Sequence, residues 1–257
     1  MLIKFKMENT KCASTPMEQN HKLSAYEGEP IEDITIYQSL VGNLNYATLT
    51  RVDICYSVSI LSQFMHKPGR PHMEAAKRVL KYLKGTMNEG LFYSYTSDIE
   101  LKVYSDADWA GFRDDRRSIS GYISFADSKI ISWSSKKQAT VALSSTEVEY
   151  RGLANATQEI MWLKSLYTDL GLHSSTPHIF GDNTSSLHLV ANLVYHARTK
   201  HIEVHYHYVR EKLMSKDIQL SYVSTDMQCA DMLTKALDGT KLSRFNLMIG
   251  LQEIKDN

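Results

Sequence analysis

Three short strand-like runs, the first with a two-residue apolar repeat, followed by one long helical stripe, constrain this chain more than any other feature. Leu101-Lys102-Val103-Tyr104-Ser105 alternates, residues 118–125 and 130–135 read as two further strands, and Asp127-Ser128 lies between those as a turn. Leu153, Ala156, Ile160, Leu163, Tyr167 and Leu170 then form one stripe of a helix that begins near Thr146 and stops at Gly171. A short strand, His178-Ile179-Phe180-Gly181, leads into Asp182 and a helix over 183–193. A charged, His-rich helix at about 201–215, a strand at 218–223 and a helix at about 227–237 complete the pattern. Three antiparallel strands ahead of a crossover helix give a mixed sheet with helices packed on it, an α/β domain over 99–238.

The preceding part has another character. Residues 1–32 read as an extended, polar lead-in carrying Pro16 and Pro30. Residues 33–98 form a smaller, mainly helical segment. Tyr37, Leu40, Val41 and Leu44 share one face, and Ile54, Val58, Leu61 and Met65 share another. Lys67-Pro68-Gly69-Arg70-Pro71 is a turn, and the next helix buries Ala76, Val79, Leu80 and Leu83 before Gly85 caps it. Leu91-Phe92-Tyr93-Ser94-Tyr95 reads as a strand, and 239–257 as a C-terminal tail.

Lys and Arg (29) balance Asp and Glu (29), which excludes a generally basic coat, so any nucleic-acid binding rests on local patches. The cysteines, Cys12, Cys55 and Cys229, are odd in number and form no CxxC pair, which argues against a disulfide framework or zinc ribbon. No signal peptide or membrane-length apolar run is visible, so a soluble, intracellular protein is expected, with no membrane partner and no small-molecule cofactor.

Four acids fall where strands end or helices begin: Asp106, Glu149, Asp182 and Asp231. Metal-dependent phosphodiester cleavage uses such a set, because Mg²⁺ is a hard cation that takes oxygen ligands. Two ions about 4 Å apart can activate a water and stabilise the leaving oxygen. Each acid also has a structural reading. Thr146-x-x-Glu149 matches a capping box, Asp182 can cap the helix after it, and Asp231 suits a helix N-terminus. Spacing leaves both readings open.

Longer runs decide between them. Tyr104-Ser105-Asp106-Ala107-Asp108-Trp109-Ala110-Gly111 resembles the opening motif of the ribonuclease H domain in copia-type LTR retrotransposon Pol polyproteins. The likeness continues through Arg117-Ser118-Ile119-Ser120-Gly121-Tyr122, Ile131-Ser132-Trp133-Ser134-Ser135-Lys136-Lys137-Gln138 and the stretch from Val141 to Tyr150. It ends with Asp182-Asn183, His196-Ala197-Arg198-Thr199-Lys200-His201-Ile202 and Ala230-Asp231-Met232-Leu233-Thr234-Lys235. Tyr37 to Leu44, Thr50-Arg51-Val52-Asp53-Ile54 and Ala75 to Thr86 resemble the reverse-transcriptase thumb and connection of the same family, with Val52 where it usually has Pro.

The resemblance implies an RNase H-like mixed five-stranded sheet and an endoribonuclease that cuts the RNA strand of RNA–DNA hybrids. It makes Asp106, Glu149, Asp182 and Asp231 the ligands of two Mg²⁺, with Mn²⁺ as the alternative ion, and a polymerase portion a partner. Glu147 and Glu149 point about 200° apart on a helix, so only one can face the site. Glu149 is favoured because the bulky Tyr150 follows it, as in the family. Asp108 shares a strand face with Asp106 as a lesser alternative. Gly152 departs from the family pattern and costs about 1 kcal/mol against Ala in a helix.

The remaining polar candidates are substrate contacts. Lys77, Lys81 and Lys84 recur at helical spacing, and with Arg116, Arg117, Lys136, Lys137, Arg198 and Lys200 they are candidate phosphate contacts. Asn183, Thr184, Ser185 and the backbone near Ala107 are candidates for reading 2′-hydroxyls. His201 is the candidate proton shuttle, since imidazole titrates near neutrality. His196, His201, His205 and His207 invite a zinc reading that no neighbouring CxxC supports. Phe112-Arg113-Asp114-Asp115 echoes a polymerase xxDD box but lacks the hairpin context, so no polymerase activity is expected. The competing readings are a catalytically silent nucleic-acid-binding or scaffold remnant and another nuclease or strand-transfer enzyme of the same fold.

Overall fold

The computed structural model describes residues 1–21, 23–93, 100–191 and 203–254. It resolves into two compact units: Met1–Phe92 with Arg113–Asp115 and Lys235–Asn257, and Tyr93–Phe112 with Arg116–Thr234.

In the first unit, α1 (Ile34–Ala47), α2 (Cys55–Ser62) and α3 (Arg70–Gly85) follow the expected helical periodicity. Tyr37, Leu40, Val41 and Leu44 are fully buried, as are Ile54, Val58, Leu61, Ala76, Val79 and Leu80. Asp33 caps α1 by accepting from Thr35 N at 2.8 Å. The Thr50-to-Ile54 motif has a structural use. Arg51 grips Asp53 with two bonds, Nε–Oδ1 at 3.0 Å and Nη2–Oδ2 at 2.6 Å, and its guanidinium also reaches the Thr86 carbonyl and hydroxyl. This buried pair joins the entry of α2 to the end of α3.

Among its described residues the lead-in has no helix or strand, yet it is fastened to α3. Arg78 donates to the Thr15 carbonyl and hydroxyl and pairs with Glu18 at 2.8 Å, and Lys84 donates to the Thr10 carbonyl at 2.8 Å. Arg113 and Asp114, from the polymerase-like decoy, hold Glu27 and the Ala25 amide. The expected C-terminal tail is instead a helix and a strand. Asp238 caps α7 (Gly239–Met248), Leu242 and Phe245 are buried, and β7 (Leu251–Glu253) pairs antiparallel with β1 (Glu89–Leu91). The strand expected at 91–95 is thus displaced to 89–91, because its partner lies about 160 residues along the chain, beyond any local signal; residues 94 and 95 lie outside the described set.

His72 supplies a pH-dependent test of this unit. It is 1% exposed, stacks on Phe64 with ring centroids 3.9 Å apart, and accepts the Gly69 amide at Nδ1 at 2.8 Å. An accepting Nδ1 carries no proton, and burial pushes the imidazole below its ordinary 6.5, against opposing influences from the Ser24 backbone and Asp114. The unfolded chain therefore takes up a proton at a pH where the folded chain does not. Stability is full above about pH 6.5 and falls as pH drops below it, by at most about 1.4 kcal/mol per unit for one group. Urea unfolding followed by circular dichroism at pH 7.5 and 5.5 is expected to show this loss, and His72→Gln to lessen it. An undiminished loss in the variant would assign the effect to other histidines.

The second unit is the α/β domain. β2 (Leu101–Asp108), β3 (Ile119–Ala126) and β4 (Lys129–Lys137) form an antiparallel meander, while β5 (His178–Gly181) and β6 (Gln219–Tyr222) add parallel strands. The order is β4-β3-β2-β5-β6, so the chain leaves the meander, crosses through α4 (Ser145–Asp169) and returns beside β2. This is the mixed five-stranded sheet with flanking helices that the resemblance implies. Leu101, Val103 and Ile179 pack against Tyr150, Leu153, Ile160 and Leu163 of α4, with Val190 of α5 (Thr184–Ala191) and Val209 of α6 (Glu203–Met214) closing the core. Leu170, expected on the buried stripe, lies past the helix end and is 64% exposed. The helix expected at 227–237 is a 3-10 turn limited to Cys229–Leu233.

Candidate metal centre

β2 carries Asp106 into the middle of the sheet, where it is 2% exposed and faces Gly121 of β3 in register. β5 ends at Gly181, so Asp182 stands at the carboxyl end of the neighbouring parallel strand. Asp231 lies in the 3-10 turn and is fully buried. One oxygen from each of these three carboxylates lies within 4.8 Å of the others, the one such cluster of potential ligands among the described residues.

The turn reaches the sheet because nothing is in its way. A Cβ built on Gly121 would stand 2.6 Å from Leu233 Cβ and 3.0 Å from Thr234 Cγ2. Gly152 has a related use: a Cβ there would stand 3.2 Å from Ser105 Oγ and 3.6 Å from the Asp106 carbonyl. The glycine that departs from the family pattern lets α4 lie close to β2 beside the cluster. Ser135 donates to the Leu233 carbonyl at 2.6 Å, and Thr234 donates to Asp106 Oδ2.

α4 begins at Ser145 with Ser144 as its cap, accepting from Glu147 N at 3.2 Å. Glu147 then takes the Leu143 amide at 2.8 Å and Arg151 Nη2 at 2.7 Å. The helix start is therefore two residues earlier than Thr146-x-x-Glu149 implies, and it occupies Glu147. Glu149 is 9% exposed on the same turn and does not belong to the three-carboxylate cluster. The cap of α5 is Asn183, whose Oδ1 accepts from Ser186 N at 2.8 Å. Asp182 is not needed for that task, and it accepts from Thr225 Oγ1 at 3.2 Å. Asp108, at the end of β2, lies outside the cluster. Burial pushes the Cys229 thiol well above its ordinary range, which makes it an inert packing group beside Asp231.

The chemistry of the donor set suits a hard divalent cation: three carboxylates, no sulfur and no imidazole.

The basic candidates divide. Lys136 and Lys137 line a polar cleft of about 730 Å³ together with Gly121, Gln138, Arg151 and Gly152, and Lys137 also lies 3.6 Å from the centroid of the Phe112 ring. Arg116 and Arg117 are exposed, as are Thr184 and Ser185. On α3, Lys77 pairs with Glu74 at 3.0 Å, Lys84 holds the lead-in, and Lys81 is half-buried. His196, Arg198, Lys200 and His201 lie outside the described residues, and so does the side chain of His205.

No protein-family model matches the chain. It is 45% identical over 255 residues, 99% of its length, to the retrovirus-related Pol polyprotein from transposon RE1 of Arabidopsis thaliana. It is 40% identical over 258 residues to the corresponding polyprotein from transposon TNT 1-94 of Nicotiana tabacum, with 98% of the chain covered. The chain is similar over nearly its whole length to a segment of retrotransposon Pol polyproteins. It spans 17% and 19% of the length of those two relatives. Among solved structures it is similar to a metagenomic RNase H1, LC11, in complex with an RNA/DNA hybrid. The TM-score is 0.41 at 12% identity, covering 52% of this chain and 94% of that one. Among the described residues, no helix is long and apolar enough to cross a membrane.

Proposed function

We propose that the second unit is a metal-dependent ribonuclease H of a copia-type element, cutting the RNA strand of RNA–DNA hybrids. The observation that carries this reading is the meeting of Asp106, Asp182 and Asp231 from two strand positions and a 3-10 turn. Those three carboxylates would hold Mg²⁺ or Mn²⁺, and Glu149, five residues past the Ser144 cap, is the fourth acid of the proposed set. When bound, divalent cations supply a water of lowered pKa and positive charge for the leaving oxygen. Lys136 and Lys137 in the polar cleft, with Arg116 and Arg117, meet phosphates, while Thr184 and Ser185 reach 2′-hydroxyls. Asn183 spends its carbonyl oxygen on the α5 cap, which leaves its amide nitrogen for that reading. Lys77 and Lys81 of α3 are phosphate contacts of the first unit, Arg198, Lys200 and His201 complete the substrate-side set, and a polymerase portion is the partner.

Labelled RNA–DNA hybrid, duplex RNA and duplex DNA, each incubated with the purified chain in Mg²⁺ or EDTA, test the reading. Loss of RNA from the hybrid alone, only with Mg²⁺ and not with Asp182→Asn, is the expected result. Hybrid bound but uncut would support a scaffold remnant instead. Cutting of duplex DNA would point to a strand-transfer enzyme of the same fold.

A further inference from the structure

The segment that delivers Asp231 has a period of three, and that period lines up more than one functional side chain. In a 3-10 helix, side chains at i and i+3 eclipse. Gln228, Asp231 and Thr234 stand at that spacing across the turn Cys229–Leu233, and all three are fully buried. The outer two grip β2 on either side of the acid. Gln228 Nε2 donates to the Ser105 carbonyl at 2.9 Å, and its Oε1 accepts from Ala230 N at 3.4 Å. Thr234 Oγ1 donates to Asp106 Oδ2 and lies 3.2 Å from the Asp231 carbonyl oxygen, so the carboxylate, the stronger acceptor, takes its proton. One hydroxyl therefore ties a carboxylate of the sheet to the turn that holds another.

The torsion that aims an Asp carboxylate is broad by itself. A charge-assisted bond from a hydroxyl whose own position is fixed selects one value, and Thr234 is fixed, since its methyl group packs over Gly121. Groups that orient ligating side chains in this way affect metal affinity without touching the metal.

We propose that Thr234 is a positioning residue for the acidic centre: its hydroxyl sets the Asp106 carboxylate relative to Asp231, Gln228 anchors the other end of the turn, and divalent-cation affinity depends on that hydroxyl. The proposal rests on the nuclease reading above and adds residues that carry no charge and bind no substrate.

Two substitutions separate positioning from packing. Thr234→Val keeps the shape and removes the hydroxyl, whereas Thr234→Ser keeps the hydroxyl and removes the methyl. Mn²⁺ titration of the purified full chain by calorimetry is the readout, with melting in EDTA as the check of folding. Thr234→Val is expected to bind Mn²⁺ about 10- to 100-fold more weakly than wild type, and Thr234→Ser within about threefold of it. The reverse order, serine weak and valine unchanged, assigns Thr234 to packing and overturns the proposal. If the valine variant does not fold, a folded serine variant with lost affinity overturns it equally, and one with retained affinity supports it. Wild-type chain that binds no Mn²⁺ and leaves hybrid uncut removes the nuclease reading and the proposal together. Wild-type binding matched by Thr234→Val removes the proposal alone.

Discussion

Asp231→Asn is expected to abolish cleavage and, in EDTA, to make the protein more stable. The two effects have one cause. Three carboxylate oxygens within 4.8 Å of one another repel when no cation lies among them. At an effective dielectric near 20, two unit charges at that distance oppose each other by roughly 3–4 kcal/mol. The net gain from removing one charge is smaller, because the surrounding hydrogen bonds are built for carboxylate, and about 1–3 kcal/mol is expected. Asn keeps the shape, and Asp231 is fully buried, so little else changes in the packing. Activity moves the other way. Loss of one charged ligand from a site that stabilises developing charge costs at least about 10²–10³-fold. Single-turnover cleavage of labelled hybrid gives the first number, and calorimetric melting in EDTA and in Mg²⁺ gives the second. Wild-type protein should gain more stability from Mg²⁺ than the variant does. A variant that melts lower in EDTA, with an unchanged response to Mg²⁺, would mean that the acids are structural partners rather than ligands.

Much of the scaffold beneath that cluster was legible from period alone. The alternation at 101–105 and the stripe through Ile160 are local signals, and the elements they predict are present with boundaries shifted by a few residues. Two features were hidden for different reasons. The β1–β7 pair joins Glu89 to Glu253, and a pairing of that span leaves no trace in either short strand. The turn at Cys229–Leu233 was hidden by its own composition, because Cys229, Ala230, Met232 and Leu233 look like the start of an ordinary amphipathic helix. The three-residue spacing of Gln228, Asp231 and Thr234 was the available signal for a 3-10 geometry. α7 was likewise announced by Asp238 before Gly239 and by Leu242 and Phe245 three apart, a cap and a stripe in a region read as a tail.

At the acidic centre, motif likeness nominated residues, but only contacts could sort them. Nothing in the order of residues 144–149 shows which glutamate the helix start consumes. That follows from Ser144 being the cap, which brings Glu147 to the Leu143 amide and Arg151. The same holds for Asp182 and Asn183, adjacent polar residues of which one is the cap. Convergence itself, between positions 106 and 231, is a property of the sheet order and of the two glycines that admit α4 and the turn.

Gly121 gives the sharpest test of that last point. In Gly121→Ala the new methyl would meet Leu233 Cβ at 2.6 Å and Thr234 Cγ2 at 3.0 Å. Leu233 Cβ sits at the root of a fully buried side chain, so it cannot swing aside as a flexible chain end would. The turn must retreat from the sheet and carry Asp231 and the Thr234 hydroxyl with it. Overpacking of this kind costs about 1–3 kcal/mol, and a displacement near 1 Å at a reacting centre costs about 10²-fold in rate. Gly42→Ala is the matching control. Gly42 lies in the middle of α1 with nothing within 4 Å of a built Cβ, so alanine there should stabilise by about 0.5–1 kcal/mol. Chemical unfolding and hybrid cleavage, measured on both variants, should separate them in opposite directions. Gly121→Ala with wild-type cleavage and wild-type Mn²⁺ affinity would show that the turn tolerates displacement, and the geometric account of the centre would fail with it.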